Sequence, residues 1–346
     1  MEIGISTFVE TTPDENGNLI SHAKRIQEIV EEIKLADTVG LDIYGIGEHH
    51  REDFAASSPE IILAAAAPIT KKIRLTSAVT VLSSADPVRI FQNYATLDAL
   101  SNGRAEIMAG RGSFTESFPL FGYDLKDYNS LFDEHLELLL KIQKNNKKVN
   151  WRGGHRSAID DLGVYPNPVQ KQLPITIGTG GNPESTIRAA KLGLPIVYAI
   201  IGGNPENFAP LVKLYHQTAK EAGHDASKMQ VASHSHGFVA KTTKEATEKF
   251  YYPTQKVMNI LARERGWPPY TKASFDQATK PNGALYVGDP ETVAKKIIHL
   301  NKKVGVGRFM MHLPLGTMAH EDIMNSIKLL GEEVAPLVRK TLASQS

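Results

Sequence analysis

The sequence predicts a (β/α)8 barrel that forms a single domain over residues 1–346, and three observations favour this fold class. Eight short apolar segments, most of them rich in β-branched residues, alternate along the chain with segments of helical periodicity. The length of 346 residues suits a barrel of about 250 residues that carries insertions. The alternative is an open doubly wound sheet, which usually has a glycine fingerprint after its first strand, and no such pattern follows Phe8.

The clearest unit of this pattern is a strand, a helix and a second strand within residues 73–113. Pro87 suits the first turn of the helix, because the N–H that proline lacks has no intrahelical partner there. Asn102-Gly103 supplies the left-handed residue with which many helices end. Parallel strands joined in this way expose their following loops at the carboxyl edge of a barrel, where binding sites are built. We therefore expect Gly110-Arg111-Gly112 to hold a cation close to bare backbone at that edge.

The other elements follow from the same two periodicities and from helix start and stop signals. Strands are predicted over Ile3–Phe8, Leu41–Ile46, Ile73–Val81, Arg104–Ala109, Pro174–Gly178, Leu194–Ile201, Met229–Val239 and Arg308–Leu313. Helices are predicted from Ser21 to Gly40, over Pro59–Thr70, Pro87–Leu100 and Phe132–Ile142, from Pro183 to Leu192, and over Pro205–Ala222, Pro290–Val304 and Glu321–Leu342.

Two segments do not fit the alternation. Asn145–Gln172 is long, polar and interrupted by proline and glycine, so we expect it to lie outside the core. Lys241–Asp289 is predicted to be an irregular, partly helical insertion between the seventh strand and the next helix. The breakers Gly266-Trp267-Pro268-Pro269 and Pro281-Asn282-Gly283 interrupt it.

The composition excludes several classes of function. The chain has 39 lysines and arginines against 38 acidic residues, so neither nucleic acid nor an anionic membrane is an expected partner. It has no cysteine, which rules out disulfides, thiolate nucleophiles and iron–sulfur clusters held by cysteine. No apolar run reaches the roughly 18 residues of a membrane helix, and the chain enters a strand at once without a signal peptide. A cytoplasmic protein is therefore expected.

A second candidate for anion binding lies between the fifth strand and its helix, in Gly178-Thr179-Gly180-Gly181-Asn182-Pro183-Glu184-Ser185. The glycines let the backbone approach a ligand, and the free N–H groups at a helix start attract a phosphate. Asn182 or Ser185 can add a side-chain donor. The alternative is a plain turn in which Asn182 caps the helix. Arg111 lies at the same predicted edge, and the two features together favour a phosphate site.

Two histidine pairs are candidates for proton transfer. His49 and His50 end the second strand, where neighbouring residues point to opposite faces. One of them can be a general base with a pKa near the working pH. The alternative is one packed and one solvated histidine. His234 and His236 share a face of the seventh strand, and metal-dependent barrel hydrolases use such a pair together with ligands from other strand ends. Their pair usually lies on the first strand, which ends here with Ser6-Thr7-Phe8. We predict no metal site and expect hydrogen-bonded histidines in the barrel interior.

An aromatic loop follows the predicted cation at Arg111. It contains Phe114, Phe118, Phe121 and Tyr123. These rings can form the wall of a site for a flat apolar ligand, or they can form a local core. The spacing in the sequence is compatible with both interpretations.

The order and spacing of these motifs resemble the bacterial luciferase-like family of flavin-dependent oxidoreductases and monooxygenases over nearly the whole chain. Each segment that carries the resemblance is short, and the set of them is specific. The segments are Glu48-His49-His50, Thr76-Ser77-Ala78-Val79-Thr80-Val81-Leu82, Asp86-Pro87-Val88-Arg89, Leu97-Asp98, Ser101-Asn102-Gly103-Arg104, Gly110-Arg111-Gly112, Ala189-Ala190, Leu192-Gly193-Leu194-Pro195 and Val287-Gly288-Asp289-Pro290-Glu291.

The resemblance implies a barrel with FMN at the carboxyl ends of its strands. Arg111, between Gly110 and Gly112, would pair with the flavin phosphate. Ala78-Val79 falls where the family often has a cis non-proline peptide under the flavin ring, and His49 aligns with a histidine that serves as a base in the luciferases. The start of the fifth helix and the turn before it would also bind the cofactor, through Thr179, Gly180, Gly181, Asn182 and Ser185.

The chain departs from the family pattern at two positions. Gly110 replaces the cysteine that luciferase carries beside the flavin, which is expected to open space there. Asn129 stands where luciferase has a second phosphate-binding arginine, which leaves Arg111 as the assigned cation. The insertion at 241–289 falls where the family has a mobile lid, and a lid would exclude water from the reaction.

The resemblance therefore implies a monooxygenase that uses reduced FMN and O2 on a small organic substrate, with a separate reductase supplying the flavin and a homodimer as the assembly. Three alternatives remain at this stage. One is an F420-dependent hydride-transfer enzyme of the same fold, and another is a non-catalytic flavin-binding subunit. The third is a metal hydrolase built on the histidine pair of the seventh strand.

Overall fold

The computed structural model describes residues 1–14, 16–144 and 148–344. Eight parallel strands close into a barrel, which confirms the predicted fold class. The barrel consists of β1 (Glu2–Thr7), β2 (Ile43–Ile46), β3 (Arg74–Ser77) continued by β4 (Thr80–Val81), β5 (Ala105–Gly110), β8 (Ile175–Thr179), β9 (Ile196–Ala199), β10 (Val231–Val239) and β12 (Arg308–His312). Strands outside the barrel are β6 (Val149–Trp151), β7 (Ile159–Leu162) and β11 (Tyr286–Gly288). The closing contacts pair β1 with β12, β12 with β10, and β10 with β9.

Helices surround the barrel and begin close to the predicted positions. Asp86 accepts hydrogen bonds from the N–H groups of Val88 and Arg89, so a capped proline start is confirmed at Pro87. The helices are α1 (His22–Thr38), α2 (Pro59–Ala66), α3 (Pro87–Leu100), α4 (Ser117–Phe121), α5 (Tyr128–Lys144), α6 (Pro183–Lys191), α7 (Ala209–Glu221), α8 (Thr243–Arg265), α9 (Lys272–Thr279), α10 (Pro290–Val304), α11 (His320–Leu329) and α12 (Ala335–Ala343).

The third predicted strand, Ile73–Val81, is wrong as one continuous element. It divides into β3 and β4 at Ala78-Val79, whose peptide bond is cis. The cis peptide implied by the family resemblance is therefore present at the expected position. The Val79 side chain packs on the apolar residues that fill the middle of the barrel, which are Ile43, Ala78, Met108, Val197, Ala232 and Met310.

The prediction of an irregular insertion over 241–289 also needs correction. The helix α8 spans 23 residues, α9 follows it, and β11 pairs with the end of β10. The breakers Gly266 and Pro268 therefore separate two helices instead of disordering the segment. The polar excursion after α5 contains an antiparallel hairpin of β6 and β7. The predicted start of that excursion, Asn145, lies outside the described residues.

The long C-terminal helix predicted over Glu321–Leu342 is interrupted. The helices α11 and α12 are joined by a π-helical segment over Leu330–Val334. Pro336 stands in the first turn of α12 and has no N–H to give to the carbonyl four residues before it, so a regular α-helix cannot run through this point unchanged. No helix in the three described ranges is long and apolar enough to cross a membrane.

Candidate active site

Ion pairs close the barrel interior at the amino ends of its strands, so the open end lies at the carboxyl edge. The guanidinium of Arg308 on β12 donates to Glu106 on β5 at 2.8 Å and to Glu2 on β1 at 2.6 Å. Arg74 on β3 also pairs with Glu106. The barrel is therefore blocked at the amino ends of its strands, and a ligand has access from the other end.

Arg111 lies directly after β5 at the open end. Its Nη1 donates to Asn129 Oδ1 at 2.6 Å, and its Nη2 donates to Ser185 Oγ at 3.2 Å. Its Cζ lies 5.3 Å from the ring centroid of Tyr128. Each of these partners is uncharged, so the positive charge of Arg111 keeps its capacity for an anion. We call Arg111, Asn129 and Ser185 the anion site.

The turn after β8 supports the anion site. Asn182 accepts hydrogen bonds from the backbone N–H groups of Glu184 at 2.7 Å and Ser185 at 3.3 Å, so it caps α6. Gly181 has a φ of +102°, a conformation that glycine adopts readily. The alternative of a plain capped turn is thus correct for the side-chain oxygen of Asn182. Ser185, in contrast, contacts the guanidinium of Arg111, so the two predicted anion features lie together.

The expectation that Gly110 opens space beside a flavin is wrong. A Cβ atom at Gly110 would lie 2.7 Å from Cγ2 of Val79, and one at Gly178 would lie 2.6 Å from Cγ1 of the same side chain. The Val79 side chain therefore fills the space above both glycines. At Gly180, by contrast, an added Cβ would meet nothing within 4 Å among the described residues. The glycines at 110 and 178 permit the close approach of Val79.

A cleft opens beside the anion site. Its wall combines aromatic rings with short polar side chains and with the backbone around Val79. The lining residues are Phe8, Glu48, His49, His50, Ala78, Val79, Val81, Gly112, Ser113, Phe114, Glu116 and Ser117. Gly112 belongs to this wall and follows Arg111 in the chain, so the cleft and the anion site are continuous along the loop after β5.

His49 is enclosed by aromatic rings. Its ring stacks on Phe54 at 4.3 Å and meets the edges of Phe8 at 4.5 Å and Phe114 at 5.1 Å. Burial, and after it the electrostatic effect of His312, lower the pKa of His49 to about 3. The prediction of a pKa near the working pH is therefore not met, and the imidazole is neutral at neutral pH. Its Nδ1 is buried and has no hydrogen-bond partner among the described residues, so it is free to bond a ligand.

His50 has a structural role. Its Nε2 lies 2.8 Å from Oε1 of Glu48, and the other carboxylate oxygen of Glu48 accepts from the backbone N–H of Val81 at 2.8 Å. The alternative of one packed and one solvated histidine is wrong, because both side chains are largely enclosed. Only 7% of the His50 side chain is exposed. Glu48 thus ties the end of β2 to the end of β4.

The predicted aromatic loop divides between the two interpretations that the sequence allows. Phe114 lines the cleft and contacts His49, as the wall of a ligand site would. Phe118 is fully buried and stacks on Tyr128 at 5.5 Å, so it belongs to a local core. Phe121 is half exposed and meets the edge of His50.

The end of α8 covers the rim of the cleft. Glu264 accepts two hydrogen bonds from Arg51, at 2.6 and 3.0 Å. Arg51 also lies 4.9 Å from the ring centroid of Phe114, and Arg265 lies 5.6 Å from the same ring. The segment implied to be a lid is therefore held over the loop that follows β5.

His234 and His236 are buried in the barrel interior, as predicted from their shared face. Sequence reasoning missed two residues that join them there, Glu10 and His312. His312 lies at the end of β12 opposite His236, in a strand register that the structure shows and the local sequence does not. No group of three histidine, cysteine or acidic side chains within residues 1–14, 16–144 and 148–344 is arranged to hold a metal ion.

Fold and site together define a (β/α)8 barrel protein with an anion site and an aromatic cleft at the carboxyl edge. The chain belongs to the luciferase-like monooxygenase family, whose model matches residues 1–307. It is 26% identical to the N-acetyl-S-alkylcysteine monooxygenase of Bacillus subtilis over 329 residues, which cover 90% of this chain and 93% of that protein. The resemblance stated from the sequence is confirmed, and an oxygenase or oxidoreductase role is supported.

Two solved structures illustrate the range of cofactors on this fold. The oxygenating constituent of 3,6-diketocamphane monooxygenase from Pseudomonas putida, solved with FMN, has a TM-score of 0.78, 22% identity and 98% coverage of both chains. An F420-dependent secondary alcohol dehydrogenase has a TM-score of 0.74 and 19% identity, and the match covers 98% of this chain and 99% of that one. At these identities the two structures show the shared fold, and they do not decide between the cofactors.

Proposed function

We propose that the protein is a monooxygenase that uses reduced FMN, delivered by a separate flavin reductase, and O2 to oxidise a small organic molecule. The observation that carries this proposal is the anion site beside the cleft. Arg111 has uncharged partners in Asn129 and Ser185, and it lies at the amino end of α6. A phosphate at this position gains the charge of the guanidinium and the positive end of the α6 dipole.

The residues present fit a phosphorylated flavin. The anion site would hold the phosphate, and the apolar surface formed by Val79 would support a flat ring. When bound, reduced flavin supplies the electrons that activate O2. The side chains around it do the remaining work of binding, orientation and solvent exclusion.

His49 is the chain's own candidate for proton transfer in the cleft. It is neutral, and its buried Nδ1 has no hydrogen-bond partner in the described part of the chain. A substrate hydroxyl or amine in the cleft could bond to this nitrogen and give up or receive a proton there. Phe8, Phe54 and Phe114 around the imidazole exclude water. The contact between Arg51 and Glu264 holds the lid over them.

Anaerobic titration with oxidised and with reduced FMN tests the proposal, with riboflavin as the matched ligand that lacks the phosphate. Arg111→Ala is expected to weaken binding of reduced FMN by roughly 10- to 100-fold, since a charge-assisted hydrogen bond contributes about 1.5–3 kcal/mol. Riboflavin binding is expected to stay unchanged. Arg188→Ala is the control variant, because Arg188 lies on the same helix but pairs with Asp133 at 2.8 Å.

Two outcomes contradict the proposal. Equal loss of FMN and riboflavin in Arg111→Ala would mean that the arginine supports the fold and not the phosphate. No binding of either redox form of FMN to the wild-type chain would exclude FMN as the cofactor, and the same titration with F420 would follow.

A homodimer is part of the proposal, and light scattering of the purified protein measures its mass in solution.

A further inference from the structure

The wall of the cleft carries acidic side chains and no basic one. Its lining includes Glu48 and Glu116, and within the described residues it includes no lysine or arginine. Both carboxylate oxygens of Glu48 are occupied, one by Nε2 of His50 at 2.8 Å and the other by the backbone N–H of Val81 at 2.8 Å. Glu116 is therefore the acidic side chain of the wall that is available to a ligand.

The carboxylate of Glu116 has unused capacity to accept hydrogen bonds. Its Oε1 accepts from Nη1 of Arg51 at 3.2 Å, and its Oε2 has no hydrogen-bond partner within the described ranges. The other hydrogen bonds of the Arg51 guanidinium go to Asp53 and Glu264, at 2.6 to 3.4 Å. One guanidinium is thus shared by three carboxylates. The side chain of Glu116 is 38% exposed, so a cation in the cleft has direct access to it.

Arg265 is a second guanidinium at this rim, but it does not belong to the lining of the cleft. It is exposed at the end of α8, and its Cζ lies 5.6 Å from the ring centroid of Phe114 and 5.1 Å from that of Trp267. Its Nη2 donates to the carbonyl oxygen of Ser113 at a distance of 3.4 Å. Three carboxylates and two guanidiniums meet at this rim, so the local charge favours a cationic ligand over an anionic one.

His49 supplies a second polar contact in the same cleft. Its side chain is 7% exposed, and its buried Nδ1 has no hydrogen-bond partner in the part of the chain that the structure describes. Burial, and after it the electrostatic effect of His312, lower the pKa of His49 to about 3. The ring is therefore neutral and one of its nitrogens accepts a hydrogen bond. A neutral imidazole does not repel a cation, and an ammonium group has N–H groups to donate to it.

Aromatic rings complete the wall of the cleft. The ring centroids of Phe8 and Phe114 lie 4.5 and 5.1 Å from that of His49. Phe114 also connects the two polar contacts, because Arg51, the partner of Glu116, lies 4.9 Å from its ring centroid. Aromatic faces attract cations, and the same rings bury the apolar part of a ligand. An ammonium group on a compact apolar body is the ligand that matches this wall.

We propose that the substrate of this site is a small organic amine, bound as its ammonium ion with the positive charge at Glu116 and an N–H group at His49. The apolar part of the amine lies against the rings of Phe8 and Phe114. The inference rests on the proposed function, since it names the substrate class of that site. Glu116 is then a specificity-determining residue, because a neutral molecule of the same shape does not form the ion pair and a carboxylate is repelled.

Calorimetric titration at pH 7.5 with benzylamine, benzyl alcohol and benzoate tests the proposal, on the FMN-loaded protein and on the FMN-free chain. Benzylamine is an ammonium ion at this pH, and benzyl alcohol is its neutral counterpart of the same shape. The wild type is expected to bind benzylamine about tenfold more tightly than benzyl alcohol, and benzoate most weakly. In Glu116→Gln this preference is expected to fall to about twofold or less. Asp53→Asn is the matched control and is expected to keep the preference, because Asp53 also binds Arg51 but does not line the cleft.

Four results would overturn the proposal. They are equal binding of benzylamine and benzyl alcohol to the wild type, tightest binding of benzoate, a full preference for benzylamine in Glu116→Gln, and no binding of any of the three probes. Tightest binding of benzoate would instead assign the rim to an acid held by Arg265. Failure of FMN to bind would refute the proposed function, and the titration of the FMN-free chain would then decide the amine site alone. If circular dichroism shows that Glu116→Gln does not fold, the order of the three probes in the wild type still decides.

Discussion

Adding one methyl group at Gly178 tests how the base of the ligand site is built. A Cβ there would lie 2.6 Å from Cγ1 of Val79, whereas the next neighbouring atoms, of Met108 and Ala109, lie at 3.7 and 3.8 Å. One side chain therefore accounts for the whole clash. Overpacking of this kind costs about 1–3 kcal/mol. For 346 residues the entropy of unfolding is about 0.7 kcal/mol/K near 60 °C, so Gly178→Ala is expected to lower Tm by about 1.5–4 °C.

The contact geometry also predicts which second change restores stability. Val79→Ala removes Cγ1, so Gly178→Ala is expected to cost little in that background. The double variant should therefore be more stable than the sum of the two single effects by about 1–3 kcal/mol. Gly110 behaves differently, because a Cβ there would still lie 3.0 Å from Cβ of residue 79. Rescue of Gly110→Ala by Val79→Ala is expected to be partial.

Gly180→Ala is the matched control. It makes the same change two residues further along, where an added Cβ meets nothing within 4 Å in the described part of the chain. Its Tm is expected to equal that of wild type or to rise slightly, since alanine restricts the unfolded chain. The measurement is differential scanning calorimetry of the six variants. Additive losses in Gly178→Ala/Val79→Ala, or equal losses at positions 178 and 180, would refute this account of the site.

Two further predictions concern contacts outside the barrel interior. Glu264→Gln removes the carboxylate that Arg51 binds and is expected to raise hydrogen exchange at the end of α8 about fivefold, because such a pair contributes up to about 1 kcal/mol. Exchange equal to that of Arg263→Gln, an exposed change on the same helix, would show that the Arg51–Glu264 pair does not hold the end of α8 in place. The carboxylate of Glu32, 3.4 Å from Nδ1 of His320, raises the pKa of that histidine, so the stabilisation is present below the unfolded pKa near 6.5 and is lost as the pH rises through the folded value. The loss of Tm in His320→Gln should therefore be larger at pH 6 than at pH 9, and a gap that is constant or larger at pH 9 would show that the ion pair does not form.

The sequence predicts the repeating parts of the fold because their signals are local. Pro290–Val304 was predicted with the bounds that α10 has, since Asp289 caps its start and Gly305 ends it. The strand pattern did not predict the break between β3 and β4, because an apolar run has the same pattern whether or not the chain turns within it. The lid was predicted to be irregular, because Gly266 and Pro268 mark the ends of helices as well as loops.

In the candidate site, too, some features could be predicted from the sequence and others could not. The meeting of Arg111 with Ser185 was predictable, because both follow strands and the ends of parallel strands share one edge. The lowered pKa of His49 could not be predicted from the sequence, since it depends on burial by three phenylalanine rings that are distant along the chain. Glu10 escaped detection for a similar reason. Its partner His312 is 302 residues away, and no local pattern marks a buried carboxylate.

The strand ends explain why the barrel opens where it does. Side chains two residues apart share a face, and three strands replace a larger inward residue by glycine toward the carboxyl edge. The series are Ile43 and Gly45 on β2 followed by Gly47, Met108 and Gly110 on β5 followed by Gly112, and Thr176 and Gly178 on β8 followed by Gly180. A Cβ at Gly47 would lie 2.4 Å from the Phe8 ring, as one at Gly110 or Gly178 would clash with Val79. The missing Cβ atoms thus let Phe8 and Val79 lie across the top of a filled barrel, next to the loop that carries Arg111. A flat ring with a phosphate arm is the shape of ligand that such a surface accommodates, which is why the tests at Gly178 and Arg111 examine two ends of one site.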